Sequence, residues 1–266
     1  MNSTPRIWRN GMVSVALAVA LVTVLGGGLA HAVPVVFFGQ DLNTVEAQRL
    51  AAHPISDAAR TAFLANLVGV GTETFEAILH LTLAPLPLTF PGAGTATLTG
   101  DGIVLDLDAL GLPAPLTIAG RYPISGVKHW DAGDVFSVGF SSPVAAFGFY
   151  GSDIGDFGGQ VTLTLKGAAD VVLTVPSVIN GVGGSVLYFG VIDTENPFTS
   201  LTFGNTAVGF DSFGFDDMTI GSLAQVVTSP PSPPPVPEIP EPSTGLLMAT
   251  GVAGLRMLQR VRKTRK

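Results

Sequence analysis

The stretch Val161-Thr-Leu-Thr-Leu165 alternates apolar and hydroxyl side chains at every position. Successive side chains of a β-strand point to opposite faces of a sheet, so its apolar residues face a core and its threonines face solvent. Phe-Gly-Phe repeats that begin at Phe147 and Phe213 continue the alternation with aromatic residues. These three stretches predict half-buried strands.

Similar short runs recur along the chain, and nearly all are bounded by Gly, Pro, Asp or Asn. Strands spaced about 8–12 residues apart are typical of a β-sandwich or barrel. No helical pattern long enough for a parallel crossover separates them, so the sheet should be antiparallel. The sequence predicts a mainly β fold with strands at residues 72–79, 95–99, 135–140, 144–150, 161–165, 171–175, 186–191, 198–203 and 213–220.

Two helical patterns precede the strands. Residues 44–51 are good helix formers and end before Pro54. Residues 56–67 begin at Ser56, a favourable N-cap residue, and are followed by Gly69, which can end a helix. We therefore expect a secreted domain at residues 33–228 in which residues 33–70 form a helical lead-in.

The first 32 residues have the three parts of a signal peptide. Arg6 and Arg9 precede an almost wholly apolar stretch at residues 11–30, and Ala30-His31-Ala32 is a small-x-small cleavage site. The alternative, a transmembrane helix, fits less well because the apolar core is short and a cleavage site follows it. We expect signal peptidase to leave a mature chain that starts near Val33.

Charge is divided unevenly along the chain. Residues 33–242 hold all 20 acidic residues but only five basic ones, which is a net charge of −15. Such a surface repels phosphate backbones, so the composition argues against a nucleic-acid partner, and it attracts divalent cations. The chain has no cysteine, which excludes thiolate metal sites and a cysteine nucleophile.

The C-terminal region has three parts. Residues 229–242 hold eight prolines in 14 positions and should form an extended linker. Residues 243–266 contain an apolar segment, which we expect to be helical, and end in a basic tail. The tail should stay cytoplasmic, and the apolar run of 11 residues at 245–255 is shorter than the about 20 residues of a full span. A temporary stop in the inner membrane fits this better than a permanent tail anchor, the alternative.

The order of Pro240-Glu241-Pro242-Ser243, an apolar segment and a basic end resembles the PEP-CTERM sorting domain of Gram-negative bacteria. The resemblance implies processing by an exosortase and delivery to the cell surface or to an extracellular exopolysaccharide or biofilm matrix. The body looks like the extracellular regions that precede such tails, which implies a jelly-roll-like β-sandwich without an established activity. The implied sorting and processing residues are Pro240, Glu241, Pro242, Ser243, Arg260, Arg262, Lys263 and Arg265.

Four aspartates are candidate calcium ligands. Asp153 and Asp156 lie in an acidic loop between two predicted strands, and Asp216 and Asp217 lie inside the last predicted strand, where charge is disfavoured. Calcium prefers carboxylate and carbonyl oxygens supplied by flexible loops. For Asp217 the assignment follows the resemblance to jelly-roll modules. The alternative is that these residues form ordinary turns.

Two aromatic residues are candidates for stacking against a sugar. Trp130 is the only tryptophan after the signal peptide, and Tyr122 lies eight positions before it. A place in the core explains them at least as well. Glu73 and Glu76 should point to opposite faces of a strand, so they do not form the convergent carboxylate pair of a glycosidase.

Three functions follow from these observations. The first is a structural or adhesive component of an exopolysaccharide matrix, without catalysis. The second is a carbohydrate-binding module assisted by calcium, and the third, more remote, is an envelope glycoside hydrolase. The partners are signal peptidase, an exosortase, the inner membrane in passing and, for the first two functions, exopolysaccharide.

Replacing Pro240, Glu241 and Pro242 with alanine should leave an unprocessed protein in the membrane, because the exosortase would lack its recognition motif. Immunoblots of membrane and extracellular fractions measure the outcome. The matched control replaces three linker prolines outside the motif, Pro230, Pro231 and Pro233. Normal processing of the motif variant would contradict the exosortase assignment.

Overall fold

The computed structural model describes residues 33–206 and 212–227. Within them, eleven strands form one sheet, and every strand pairing is antiparallel. The strands are β1 (Val35–Asp41), β2 (Thr72–Glu73), β3 (Leu86–Phe90), β4 (Gly94–Asp106), β5 (Lys128–Val144), β6 (Ala146–Ser152), β7 (Val161–Lys166), β8 (Asp170–Thr174), β9 (Val186–Ile192), β10 (Phe198–Asn205) and β11 (Phe213–Gly221). One helix, α1 (Pro54–Leu64), precedes β2, and a 3-10 turn at Leu223–Gln225 follows β11.

The sheet runs in the order β1-β9-β6-β11-β5-β10-β7-β8, and β2 and the β3–β4 pair join it at β11 and β5. It is curled. Strands β6 and β10 are three steps apart in this order, about 14 Å across a flat sheet, yet the rings of Phe149 and Phe203 have centroids 5.3 Å apart. The prediction of a mainly β, antiparallel fold is confirmed, with all strands hydrogen-bonded into a single sheet.

The main core fills the inside of the curl and is rich in phenylalanine. Phe203 on β10 stacks on Phe136 of β5 at 4.2 Å between ring centroids. It also meets Phe213 and Phe215 of β11 edge-on or tilted, at 5.9 and 5.8 Å. All these side chains are at most 1% exposed. The Phe-Gly-Phe repeats therefore supply aromatic rings to one face of the sheet, as their spacing predicts.

Helix α1 covers the opposite face of the sheet at β1, β6 and β9. Its Phe63 is fully buried and lies 5.8 Å from the ring of Tyr188. The backbone approaches β1 closely, since a Cβ added to Gly39 would lie 2.3 Å from the Ile55 carbonyl oxygen. Asp41, at the end of β1, accepts hydrogen bonds from the N–H groups of Ile55 and Ser56 at 3.1 and 2.8 Å.

The N-terminal region corrects part of the sequence prediction. The helical lead-in at residues 33–70 is wrong in its first half, because residues 35–41 form β1 and residues 44–51 form turns and a bridge. The second helix is confirmed, although it starts at Pro54, and the side chain of Asp41 takes the capping role that was expected of Ser56. Residues 44–51 have helical propensity, but Asn43 instead binds the carbonyl groups of Val45 and Gln48.

The strand predictions differ from the structure at three places. The run at 72–79 pairs only over Thr72–Glu73, because the chain turns at Phe75, which has a φ of 60°. Strand β3 was not predicted, since Pro87 interrupts its apolar pattern and is tolerated at a sheet edge. Strands β4 and β5 are longer than predicted because they pair with each other over most of their length.

The sheet has two distinct ends. The linker end contains Val35, Ala146, Ile192 and Gly221, and residue 227, which leads into the linker, lies beside it. The loop end, at the other end of the same four strands, carries the connections at residues 42–53, 153–160 and 176–185. The described chain therefore leaves the sheet at the end opposite these loops.

The predicted signal peptide, linker, apolar helix and basic tail lie outside the described residues. Within residues 33–206 and 212–227, no helix is both long and apolar enough to cross a membrane.

Phe203→Ala should lower the free energy of unfolding by about 3–5 kcal/mol, because it empties the centre of the aromatic core. Urea denaturation followed by tryptophan fluorescence measures it. Val172→Ala on β8 is the control, since Val172 is 65% exposed and its loss should cost less than about 0.5 kcal/mol. Equal losses in the two variants would contradict this description of the core.

Candidate functional site

Asp216 on β11 is a fully buried carboxylate, with no exposed surface. Its Oδ2 accepts hydrogen bonds from the N–H groups of Ile124 and Ser125 at 2.8 and 3.0 Å, and its Oδ1 accepts one from Asp217 at 2.7 Å. Burial, reinforced by the negative charge of Asp217, raises the pKa of Asp216 well above its ordinary 3.8, and the three N–H donors oppose this. The carboxylate holds the segment before β5 against β11.

Asp217 lies at an irregularity of β11, where the register to β6 shifts between Asp216 and Thr219. Its φ of 49° is in the left-handed region, which few non-glycine residues adopt. The side chain accepts a hydrogen bond from the Ser125 hydroxyl at 2.6 Å and lies 3.8 Å from Nη2 of Arg60 on α1. Strand, loop and helix therefore meet at this aspartate.

A second group of polar residues lies under α1, beside Arg60. The Tyr150 hydroxyl donates to Oδ1 of Asp57 at 2.5 Å, and His53 lies 2.9 Å from the same oxygen. Arg60 lies over the Tyr150 ring, 6.0 Å from its centroid. Burial, together with the hydrogen bond to Asp57, raises the pKa of Tyr150. The Tyr150 hydroxyl, kept neutral mainly by burial, donates a hydrogen bond that holds the first turn of α1 against β6.

Asp153 organises the loop end. Its Oδ1 accepts a hydrogen bond from the Gly184 N–H at 2.8 Å, and its own N–H donates to the Ser185 carbonyl at 2.9 Å. Asp153 is 4% exposed, whereas Asp156 is exposed. Both carboxylates lie close to Gly183, because a Cβ added to Gly183 would lie 2.6 Å from Oδ1 of Asp153 and 3.3 Å from Oδ2 of Asp156.

The structure thus separates the four candidate calcium ligands into two places. Asp153 and Asp156 lie together at the loop end, and Asp216 and Asp217 lie between β11 and the segment at 124–125. Among the described residues, no group of three or more His, Asp or Glu side chains has the arrangement of a metal site. Calcium binding therefore stays a prediction.

Neither candidate stacking residue presents a ring face to solvent. Trp130 is 0% exposed and belongs to the aromatic core, and Tyr122 is 2% exposed. The Tyr122 hydroxyl donates to the Gly184 carbonyl at 3.0 Å and accepts from the Leu50 N–H at 3.1 Å. Burial raises its pKa to about 12. A sugar cannot stack on either ring, and Tyr122 instead ties the loop end together.

Sequence reasoning missed two polar residues that the fold uses. Glu76 accepts hydrogen bonds from the N–H groups of Val127 and Lys128 at 2.8 and 2.7 Å, so it anchors the start of β5. His129 is 0% exposed and lies 3.8 Å from Asp131, and burial lowers its pKa. The alternation of residues here puts His129 on the same face as Asp131, which does not predict burial. No local signal pairs Glu76 with a loop some 50 residues away.

A pocket of about 250 Å³ lies at the linker end. Its apolar lining comes from both ends of the domain, through Val33 and Val35 of the N-terminal side and Val226 and Val227 of the C-terminal side. Its polar lining includes Asp193 and Glu195, which follow β9. The pocket therefore marks the place where the described chain enters and leaves the sheet.

Comparison with known proteins identifies the C-terminal region. Residues 235–263 match the PEP-CTERM protein-sorting motif, which confirms the predicted sorting signal. The motif indicates a secreted protein whose C-terminal membrane-anchoring signal is processed by an exosortase for delivery to the cell surface. Of the predicted sorting residues, all but Arg265 fall within the match, and all lie outside the part of the chain that the structure describes.

Solved structures show only distant similarity to the chain. The K2 cleaved adhesin domain of Lys-gingipain is 14% identical, with 57% of this chain and 97% of that chain covered and a TM-score of 0.36. A family 29 carbohydrate binding module is 14% identical, with 73% and 96% covered and a TM-score of 0.25. TmCBM61, solved with β-1,4-galactotriose, is 12% identical, with 46% and 88% covered and a TM-score of 0.20. Curated protein sequences contain no match to the chain.

The stability of Asp216→Asn relative to the wild type should increase with pH. Because the folded-state pKa of Asp216 is raised, its contribution to stability is complete below about pH 3.8 and is lost as the pH rises through the folded-state value. The amide does not titrate, so the stability of the variant relative to the wild type should rise steadily as the pH is raised from about 4 to about 8. Urea denaturation across this range measures the difference.

Asp101→Asn is the matched control, because it removes one negative charge at an exposed position. A difference between Asp216→Asn and wild type that does not change with pH would contradict the assigned effect of burial.

Proposed function

We propose that this protein is a structural or adhesive component of an exopolysaccharide matrix at the surface of a Gram-negative bacterium, and that it has no catalytic role. The observation that carries the proposal is the PEP-CTERM sorting motif at residues 235–263. A protein that passes through exosortase is displayed or released outside the cell, where matrix polysaccharide is the material around it.

The two ends of the sheet support a role in display. The described residues end at Val227, at the linker end, and the eight prolines at residues 229–242 predict an extended, semi-rigid spacer. The spacer holds the domain away from the membrane during processing. The loops at residues 42–53, 153–160 and 176–185 lie at the other end of the sheet and so face outward.

The use of the acidic residues supports a structural role. Asp41, Glu76 and Asp216 each accept two or more main-chain N–H bonds, which fix loops and the start of α1 to the sheet. Carboxylates that are occupied in this way stabilise loops. The curled antiparallel sheet, filled by its aromatic core, suits a display domain.

Retention on the host's own exopolysaccharide tests the proposal. We expect the mature protein, residues 33–266 in mild detergent, to be retained equally with calcium and with a chelator. Fractionated cells should place the wild-type protein with the matrix, and the variant with alanine at positions 240–242 with the membrane. Loss of the protein from both polysaccharide and matrix fractions would overturn the proposal.

The same experiment decides the alternative of a calcium-assisted carbohydrate-binding module. Asp156 and Glu46 are exposed next to Gly183 at the loop end and are the carboxylates that a cation could reach there. Saturable retention that requires calcium, and that Asp156→Asn abolishes while Asp101→Asn does not, would favour this alternative.

A further inference from the structure

Four named strands of the described residues, β1, β2, β3 and β8, have a hydrogen-bonded strand on one side only. The free side of such a strand exposes unpaired N–H and C=O groups, which can pair with another chain. Natural proteins block free edges with charge, proline or short strands. The four edges can therefore be compared for these protective features.

Three of the edges carry a protective feature. Strand β2 has only two residues and includes Glu73. Strand β3 contains an exposed proline, Pro87, which lacks an N–H group. Strand β8 begins with Asp170, which forms an ion pair with Lys166 of β7, so both signs of charge lie at that edge.

Strand β1 has none of these features. It is seven residues long, against five for β3 and β8, and it contains no proline and no charge before its last residue, Asp41. Val35 and Val36 are 56% and 42% exposed. Helix α1 packs on one face of β1, as the ring contact of Phe37 with Phe63 at 5.6 Å shows. Among the described residues, no strand pairs with the side of β1 that faces away from β9.

We propose that β1 is an interface and that its partner is β1 of a second copy of this chain. The two strands pair antiparallel about a twofold axis, which makes one continuous sheet through two molecules. The inference deepens the proposed structural role and rests on it. It supplies the cross-link by which a matrix component holds together.

Charge favours a second copy at this edge. Residues 33–242 have a net charge of −15, so two copies repel each other over most of their surface. The stretch from Val33 to Gln40 has no charged side chain, and two acidic molecules approach there at the least electrostatic cost. A twofold pairing places this same neutral patch on both partners, as symmetric dimers require.

The chain's own linker is a poorer partner for β1. It begins next to Val33, because Val33 and Val227 line the same pocket. However, eight of its 14 residues from 229 to 242 are prolines, which cannot donate to a β-ladder. A partner strand needs regularly spaced N–H donors, and β1 of a second copy provides them.

Sedimentation of the mature chain, residues 33–266 in mild detergent, tests the proposal with two matched variants. Val36→Lys puts a charge on the β1 edge, and Val172→Lys puts the same charge on an exposed valine of β8. We expect wild type and Val172→Lys to dimerise with the same dissociation constant. Val36→Lys places its new charge twice in the twofold interface, so its dissociation constant should be at least about tenfold higher.

Circular dichroism serves as the control that Val36→Lys folds like the wild type. Amide hydrogen exchange gives a measurement on the wild type alone, because residues 35–41 should become more protected as protein concentration rises. A wild-type protein that stays monomeric up to about 1 mM, equal dimerisation of Val36→Lys and wild type, or protection of β1 at all concentrations by the linker would each overturn the proposal.

The outcome is separable from the test of the proposed function. A monomer that is still retained on exopolysaccharide would remove the β1 interface and leave the matrix role intact. A dimer that is found neither on exopolysaccharide nor in the matrix would support the β1 interface and overturn the matrix role.

Discussion

Hydrogen bonds from main-chain N–H groups to buried or half-buried carboxylates hold this fold together outside its core. The sheet itself satisfies its backbone through strand pairing, but the loops and the start of α1 have no such ladder. Asp41 supplies acceptors for the helix, Glu76 and Asp216 for the segment that enters β5, and Asp153 for the glycine-rich loop before β9. Each bond joins parts of the chain that are far apart in sequence, so these four side chains fix the tertiary arrangement of the loops.

Burying these carboxylates costs electrostatic free energy. Asp216 has no exposed surface, and its three N–H donors oppose but do not outweigh the burial and the Asp217 charge that raise its pKa. Asp217, next to it, lies near Arg60, one of only five basic residues between residues 33 and 242. A chain with so few cations cannot pair each buried carboxylate with a positive side chain. Backbone N–H donors take that role, which is why the acidic residues lie beside loops and the helix N-terminus.

The fold places the first and last described residues together, at the end of the sheet that leads to the sorting motif. The phenylalanine core fills the inside of the curl, and α1 covers the outer face at β1, β6 and β9. The first described residues and the last ones, Val226 and Val227, line one pocket at the linker end. The chain therefore leaves the described domain at one end of the sheet, and the loops at residues 42–53, 153–160 and 176–185 lie at the other end.

The sequence by itself determined the local features. Alternation at residues 161–165 and the Phe-Gly-Phe repeats identified β7, β6 and β11, because side-chain direction in a strand depends only on neighbouring residues. The sorting signal was recognised for the same reason, since it is read as a linear segment. Tertiary structure alone decided that residues 44–51 form turns and not a helix, that Trp130 and Tyr122 are buried, and that the candidate calcium ligands lie in two places. These outcomes depend on contacts between residues far apart in the chain, such as Asn43 with Ser185 or Asp216 with Ile124, whose energies no local pattern contains.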